Sequence, residues 1–86
     1  MESYTISLAS SAERDLRRIN HQFVPRVTAA IDALAEEPRP NGSRKLAGSL
    51  HTYRIRVGEH RIIYSVEDRP HEVVVHRIRH RKDAYR

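Results

Sequence analysis

Arg54, Arg56, Arg61, Arg77, Arg79 and Arg81 fall within one short stretch of the chain, and the same stretch ends in His80, Lys82 and Tyr85. A guanidinium is planar and always charged, so it grips phosphate oxygens in pairs and stacks on bases, where an ammonium is only a hydrated point charge. An imidazole and a phenol beside convergent arginines supply the parts for moving a proton to or from a ribose hydroxyl, with guanidinium holding the charge that develops on phosphate. Other chemistries lack their parts. The chain has no cysteine, which excludes both a disulfide framework and a thiolate zinc site. His76 and His80 are four apart, roughly 13 Å along a strand, too far to share one metal ion. There is no glycine-rich phosphate loop, no Ser-His-Asp pattern and no placed carboxylate pair.

The charge is unevenly spread. Of the 16 cationic residues 14 are arginine, and the formal net charge is +5. Residues 1–43 carry five arginines against six acids, a net of −1, whereas residues 44–86 carry eleven cations against five acids, a net of +6, and five of the six histidines. A polyanion is the favoured partner, and the second half of the chain is where it binds.

These side chains need elements to position them. Tyr4–Leu8 alternates apolar and hydroxyl residues, the pattern of a half-buried strand. Ser10 stands three residues before Glu13, the spacing of a capping box, and predicts a helix start. Leu16, Ile19 and Phe23, then Val24, Val27, Ile31 and Leu34, recur at helical spacing. Asn20-His21 separates the two sets, and Pro25 suits the first turn of a second helix beginning near Gln22–Val24. A helical hairpin is expected, with a single kinked helix as the alternative. Pro38 and Pro40 end the helical region and open a loop to about Leu50. Tyr53–Val57, the turn Gly58-Glu59, His60–Val66, a second turn at Glu67–His71 and Glu72–His80 read as three successive strands. The order β-α-α-β-β-β predicts an α+β fold in which both helices pack on one face of an antiparallel sheet, as a single domain over residues 1–86.

Alternation then sorts the arginines. With Tyr53, Ile55, Val57, Ile62, Tyr64 and Val66 facing the helices, Arg54, Arg56 and Arg61 face away, and Arg77 and Arg79 share a parity opposed to that of Ile78. Five arginines on one face repel one another and add no packing, a pattern that a bound polyanion relieves. The competing reading is a solvated face whose arginines pair with Glu59, Glu67 or Glu72.

Three segments, Lys45–Leu50, Tyr53–Tyr64 and Ile78–Tyr85, together with the order of elements, resemble the RelE/ParE superfamily of bacterial and archaeal type II toxins over essentially the whole chain. In the RelE branch the resemblance implies a toxin that enters the ribosomal A site and cuts mRNA by driving a ribose 2′-hydroxyl onto the adjacent phosphate, without metal or other cofactor. By position, Arg54 and Arg56 match two basic residues on the first hairpin strand, Arg61 a phosphate-contacting arginine, Arg81 a basic residue of the C-terminal motif and Tyr85 a tyrosine that stacks on the substrate base. Lys45, Arg77, Arg79 and Lys82 complete the expected RNA contacts. The archetypal RelE toxin has lysines where Arg54 and Arg56 stand, and an arginine, with a pKa above about 12, is no general base. His80 or His60 is therefore the expected proton acceptor. The ParE branch shares the fold but poisons DNA gyrase, and a non-catalytic nucleic-acid-binding module is a third reading. The resemblance further implies a cognate antitoxin, with DNA reached only through it. No apolar run approaches the roughly 18 residues of a membrane span, and Met1–Tyr4 has no secretory character, so a cytoplasmic protein without membrane contact is expected, with no helix beyond the C-terminal motif.

Overall fold

The computed structural model describes residues 3–84. The apolar strand residues dictate its layers. Strand β1 (Thr5–Leu8), helix α1 (Ser10–Arg18), a 3-10 turn at His21–Phe23, helix α2 (Val24–Ala33), strands β2 (Arg44–Lys45), β3 (Thr52–Val57), β4 (His60–Glu67) and β5 (Glu72–His80), and a last helical turn α3 (Arg81–Ala84) follow in order. One five-stranded sheet runs β1-β5-β4-β3-β2.

The core lies between this sheet and the two helices. Ile55, Ile62, Tyr64, Val66, Val73, Val75 and Ile78 from the strands meet Ala12, Val27, Ile31 and Leu34 from the helices, all buried. Each Val, Ile or Leu among them taken from water contributes roughly 1.5–3 kcal/mol. Tyr64 is wholly buried, yet its hydroxyl donates to the Pro38 carbonyl oxygen at 2.8 Å, which ties the proline loop to the sheet. Burial pushes that phenol up to about 12. On the same loop, Arg39 donates to both carboxylate oxygens of Asp68, at 3.2 and 3.0 Å, and to the Tyr53 hydroxyl at 2.9 Å.

The helical hairpin forms as two separate helices. Ile19 and Asn20 leave helical geometry, the Asn20 side chain accepts from the Gln22 N–H, and Pro25 occupies the first turn of α2. The capping box does not form: Ala9, extended at φ −64° and ψ 157°, caps α1, with no side-chain capping bond. Gly58 opens the two-residue turn between β3 and β4 at φ +60°, a conformation glycine adopts without strain.

The sheet differs from the expected one in three places. Strand β1 pairs in parallel with β5, Thr5 opposite Glu72 and Leu8 opposite Val75; the helical hairpin and the later strands make the long return that a parallel pair requires. Within the expected loop, Arg44 and Lys45 form the edge strand β2 against Arg54 and Tyr53. A register shift also breaks β5, where Ile63 faces Arg77 but Tyr64 faces Val75. His76 is the extra residue of that bulge, and alternation resumes beyond it with Ile78 buried.

Candidate nucleic-acid interface

Register lines the arginines up across the sheet on the face away from the helices. Arg56 on β3 is opposite Arg61 on β4, which is opposite Arg79 on β5. One step along, Arg44 on β2, Arg54 on β3, Ile63 on β4 and Arg77 on β5 form a second row. Neighbouring strands lie about 4.8 Å apart, so Arg56, Arg61 and Arg79 in one row and Arg44 and Arg54 in the other stand at the spacing where like charges oppose one another. Arg44 escapes sequence reading because a two-residue strand has no alternation to detect. The bulge turns His76 onto the same face, where its Nε2 lies 2.9 Å from the Ser65 hydroxyl.

The remaining expected residues fall elsewhere. Arg77 belongs to the second row by register, but its guanidinium turns to α1, with Nε 2.8 Å and Nη2 3.3 Å from the Asp15 carboxylate. Lys45 pairs with Tyr53, so parity sets it on the opposite face from Arg54. Arg81 opens α3, its N–H bonded to the Glu59 carbonyl at 2.6 Å and its guanidinium 3.7 Å from the Glu59 carboxylate. Lys82 is exposed on α3, and Tyr85 lies outside the described residues.

His80 is on the helix-side face, directly across from His60. The two rings meet edge-on at 5.3 Å, and Phe23 closes the far side of His60 at 5.2 Å. His60 keeps 3% of its surface; burial first, then the neighbouring His80, pushes its pKa below 6.5. The Nδ1 of His80 accepts the Lys82 N–H at 3.1 Å, which in the neutral ring leaves the proton on Nε2. Neutral His80 therefore presents a donor rather than a lone pair. These rings sit in a cleft of about 530 Å³ between the end of α1 and the end of β5, which Arg18 and Arg79 also line.

Among the described residues no group of three His, Cys, Asp or Glu side chains could hold a metal ion, and no helix is long and apolar enough to cross a membrane.

Residues 6–85 match the model of a family described as the ParE toxin of the type II toxin-antitoxin system parDE. Toxin RelG of Mycobacterium tuberculosis is 36% identical over 91 residues, covering 96% of this chain and 97% of that protein. Among solved structures, the RelBE2 toxin-antitoxin complex of Mycobacterium tuberculosis contains a chain with a TM-score of 0.82 at 29% identity, covering 94% of each. The archaeal RelE-RelB complex of Pyrococcus horikoshii follows with 0.81 at 25%, covering 92% of this chain and 96% of that one. The isolated E. coli RelE toxin shares the fold at 0.79 and 21% identity, over 91% of this chain and 84% of its own.

Proposed function

The chain belongs to the RelE/ParE family of type II toxin-antitoxin toxins, and on that footing we propose that it is a ribosome-dependent, metal-independent endoribonuclease that cuts mRNA in the A site and so inhibits translation. The observation that carries this reading is the row Arg56–Arg61–Arg79 beside Arg44–Arg54. A row of guanidinium groups is suited to a single strand of phosphates and to the extra charge of a cleaving phosphate. In the reaction, the 2′-oxygen forms a bond to phosphorus as its proton leaves. The bond from phosphorus to the 5′-oxygen breaks, and that oxygen takes up a proton. The products are a 2′,3′-cyclic phosphate and a 5′-hydroxyl.

Arg54, Arg56, Arg61 and Arg81 act as electrostatic stabilisers, Arg79 as a phosphate contact, and Tyr85 as the stacking partner that the family resemblance implies. For the proton acceptor, the geometry favours His76 over His80. His76 is on the arginine face, and when its Nε2–H donates to Ser65, Nδ1 keeps a free lone pair. His80 and His60, the acceptors expected from the sequence, lie on the other side of the sheet.

The relatives found in complex with antitoxins support a cognate antitoxin for this chain too, with DNA contacted through that partner and the free toxin acting in the cytoplasm. The test adds purified protein to translating ribosomes and maps mRNA 5′ ends, with a supercoiling assay on DNA gyrase in parallel. Cuts within the A-site codon are expected. Gyrase inhibition without cuts would replace this reading with the ParE activity, which the description of the matching family favours; nucleic-acid binding with neither activity would leave a non-catalytic module.

A further inference from the structure

The cleft at the end of β5 is not needed to explain the arginine rows, and its construction is specific. Its floor is apolar and aromatic: Ile19, Phe23, Ile78 and the His60 ring. Its rim is cationic: Arg18 from the last turn of α1 and Arg79 from β5. Among the described residues the acid that lines it is Asp15, which is already engaged by Arg77 and by the Ile78 N–H. His80 faces the cleft with its Nδ1 occupied. An apolar ring-lined floor under a cationic rim is complementary to a nucleotide, with the base inside and the phosphate at the mouth. A volume of about 530 Å³ lies within the range of small-molecule sites, about 300–1,000 Å³.

Continuity argues for a nucleotide within a strand rather than a free metabolite. Arg79 ends the row Arg56–Arg61–Arg79 and also lines the cleft, so a strand following that row is delivered to the cleft mouth. Among the described residues no strand pairs with β5 beyond Val75; α1 covers that edge as far as Ile78 through Ser11 and Asp15, so the way from the row to the cleft runs past Arg79 at the end of β5.

We propose that this cleft is a nucleotide subsite, taking one base of a single-stranded RNA against Phe23, Ile78 and His80 while Arg18 and Arg79 hold its phosphate. The proposal rests on the RNA-directed reading above and extends it to a place on the protein that the row of arginines alone does not reach.

The test compares Arg18→Glu with Arg17→Glu. Both residues are exposed in the last turn of α1, so the two variants share one net charge and one cost to the helix, but only Arg18 lines the cleft. Binding of a fluorescent 2′-O-methyl RNA hexamer, which cannot be cleaved, is followed by anisotropy. Arg18→Glu is expected to weaken it about tenfold relative to Arg17→Glu. In NMR titrations, a nucleoside monophosphate is expected to shift the ring signals of His60 and His80, and inorganic phosphate at the same concentration to leave them nearly unmoved. Equal loss in both variants, or ring signals unmoved by the nucleotide, would overturn the subsite. That failure is separable from failure of the endoribonuclease reading: a wild-type protein that cuts on the ribosome but shows neither effect lacks only the subsite, whereas one that shows both effects without cutting keeps the subsite and loses the nuclease.

Discussion

The histidines show how much one residue's setting decides. His60, sealed between Phe23 and His80, has its pKa lowered by burial and then by its neighbour. The unfolded chain therefore binds a proton at this site more readily than the folded one below pH 6.5, the ordinary value. The stabilisation is present in full above 6.5 and is lost as pH falls below it. Thermal unfolding should accordingly occur at lower temperature at pH 5 than at pH 7.5, and His60→Phe should flatten that difference between the two pH values; a parallel decline in both proteins would contradict this. His76 and His80 divide by face rather than by burial. With the RNA chemistry assigned above, His76→Gln should lower cleavage on ribosomes about a hundredfold, the ordinary worth of a positioned base. His80→Gln should lower cleavage far less, and the reverse result would return the acceptor role to His80.

At the scale of elements, the free part of β5 is the problem that the fold has to solve. Strand β1 covers only Glu72–Val75, and α1 takes over beyond it. The Ser11 hydroxyl donates to the His76 carbonyl at 2.7 Å, and Asp15 accepts the Ile78 N–H at 2.9 Å. A helix side chain thus stands in for a missing strand, and Arg77 neutralises it. Asp15→Ala leaves that N–H without its partner and should cost about 1–3 kcal/mol. Asp15→Asn, which still offers an acceptor, should cost less; urea midpoints at constant slope measure both. This element also shows what a sequence can disclose. The alternation in Tyr53–Val57 and His60–Val66 sorts buried from exposed residues, because parity is local and the core demands it. Helix spacing likewise reveals the hairpin. The parallel partner of β1 is a long-range choice that no local pattern encodes. The bulge at His76 adds one residue without changing composition, and it moves a histidine between candidate roles. Asp15 reads as an ordinary surface acid of an amphipathic helix, so its pull on Arg77 is visible only in three dimensions.

For the whole molecule, the net charge of +5 understates the field that a partner meets at the arginine rows, because register gathers five arginines there and leaves Glu67 and Glu72 towards the other end of the same face. Glu13, Asp32, Glu36 and Glu37 lie on or just after the helices and are exposed, whereas Arg44, Arg54, Arg56, Arg61 and Arg79 share one sheet face. A strand of RNA laid on that face releases counterions in proportion to the phosphates it neutralises, with a slope of log affinity against log salt of about −0.7 per phosphate for single strands. Removing an arginine that meets a phosphate therefore changes the slope, not only the affinity. Arg56→Gln should flatten it by about 0.7 and Arg54→Gln/Arg56→Gln by about 1.4. Arg14→Gln and Arg17→Gln, equal changes in net charge on the helix layer, should leave it almost unchanged. Anisotropy with the uncleavable hexamer over a range of salt concentrations reads all four. If the helix variants flatten the slope as much as the sheet variants do, the protein binds RNA through its overall charge and the arginine rows have no special part in holding it.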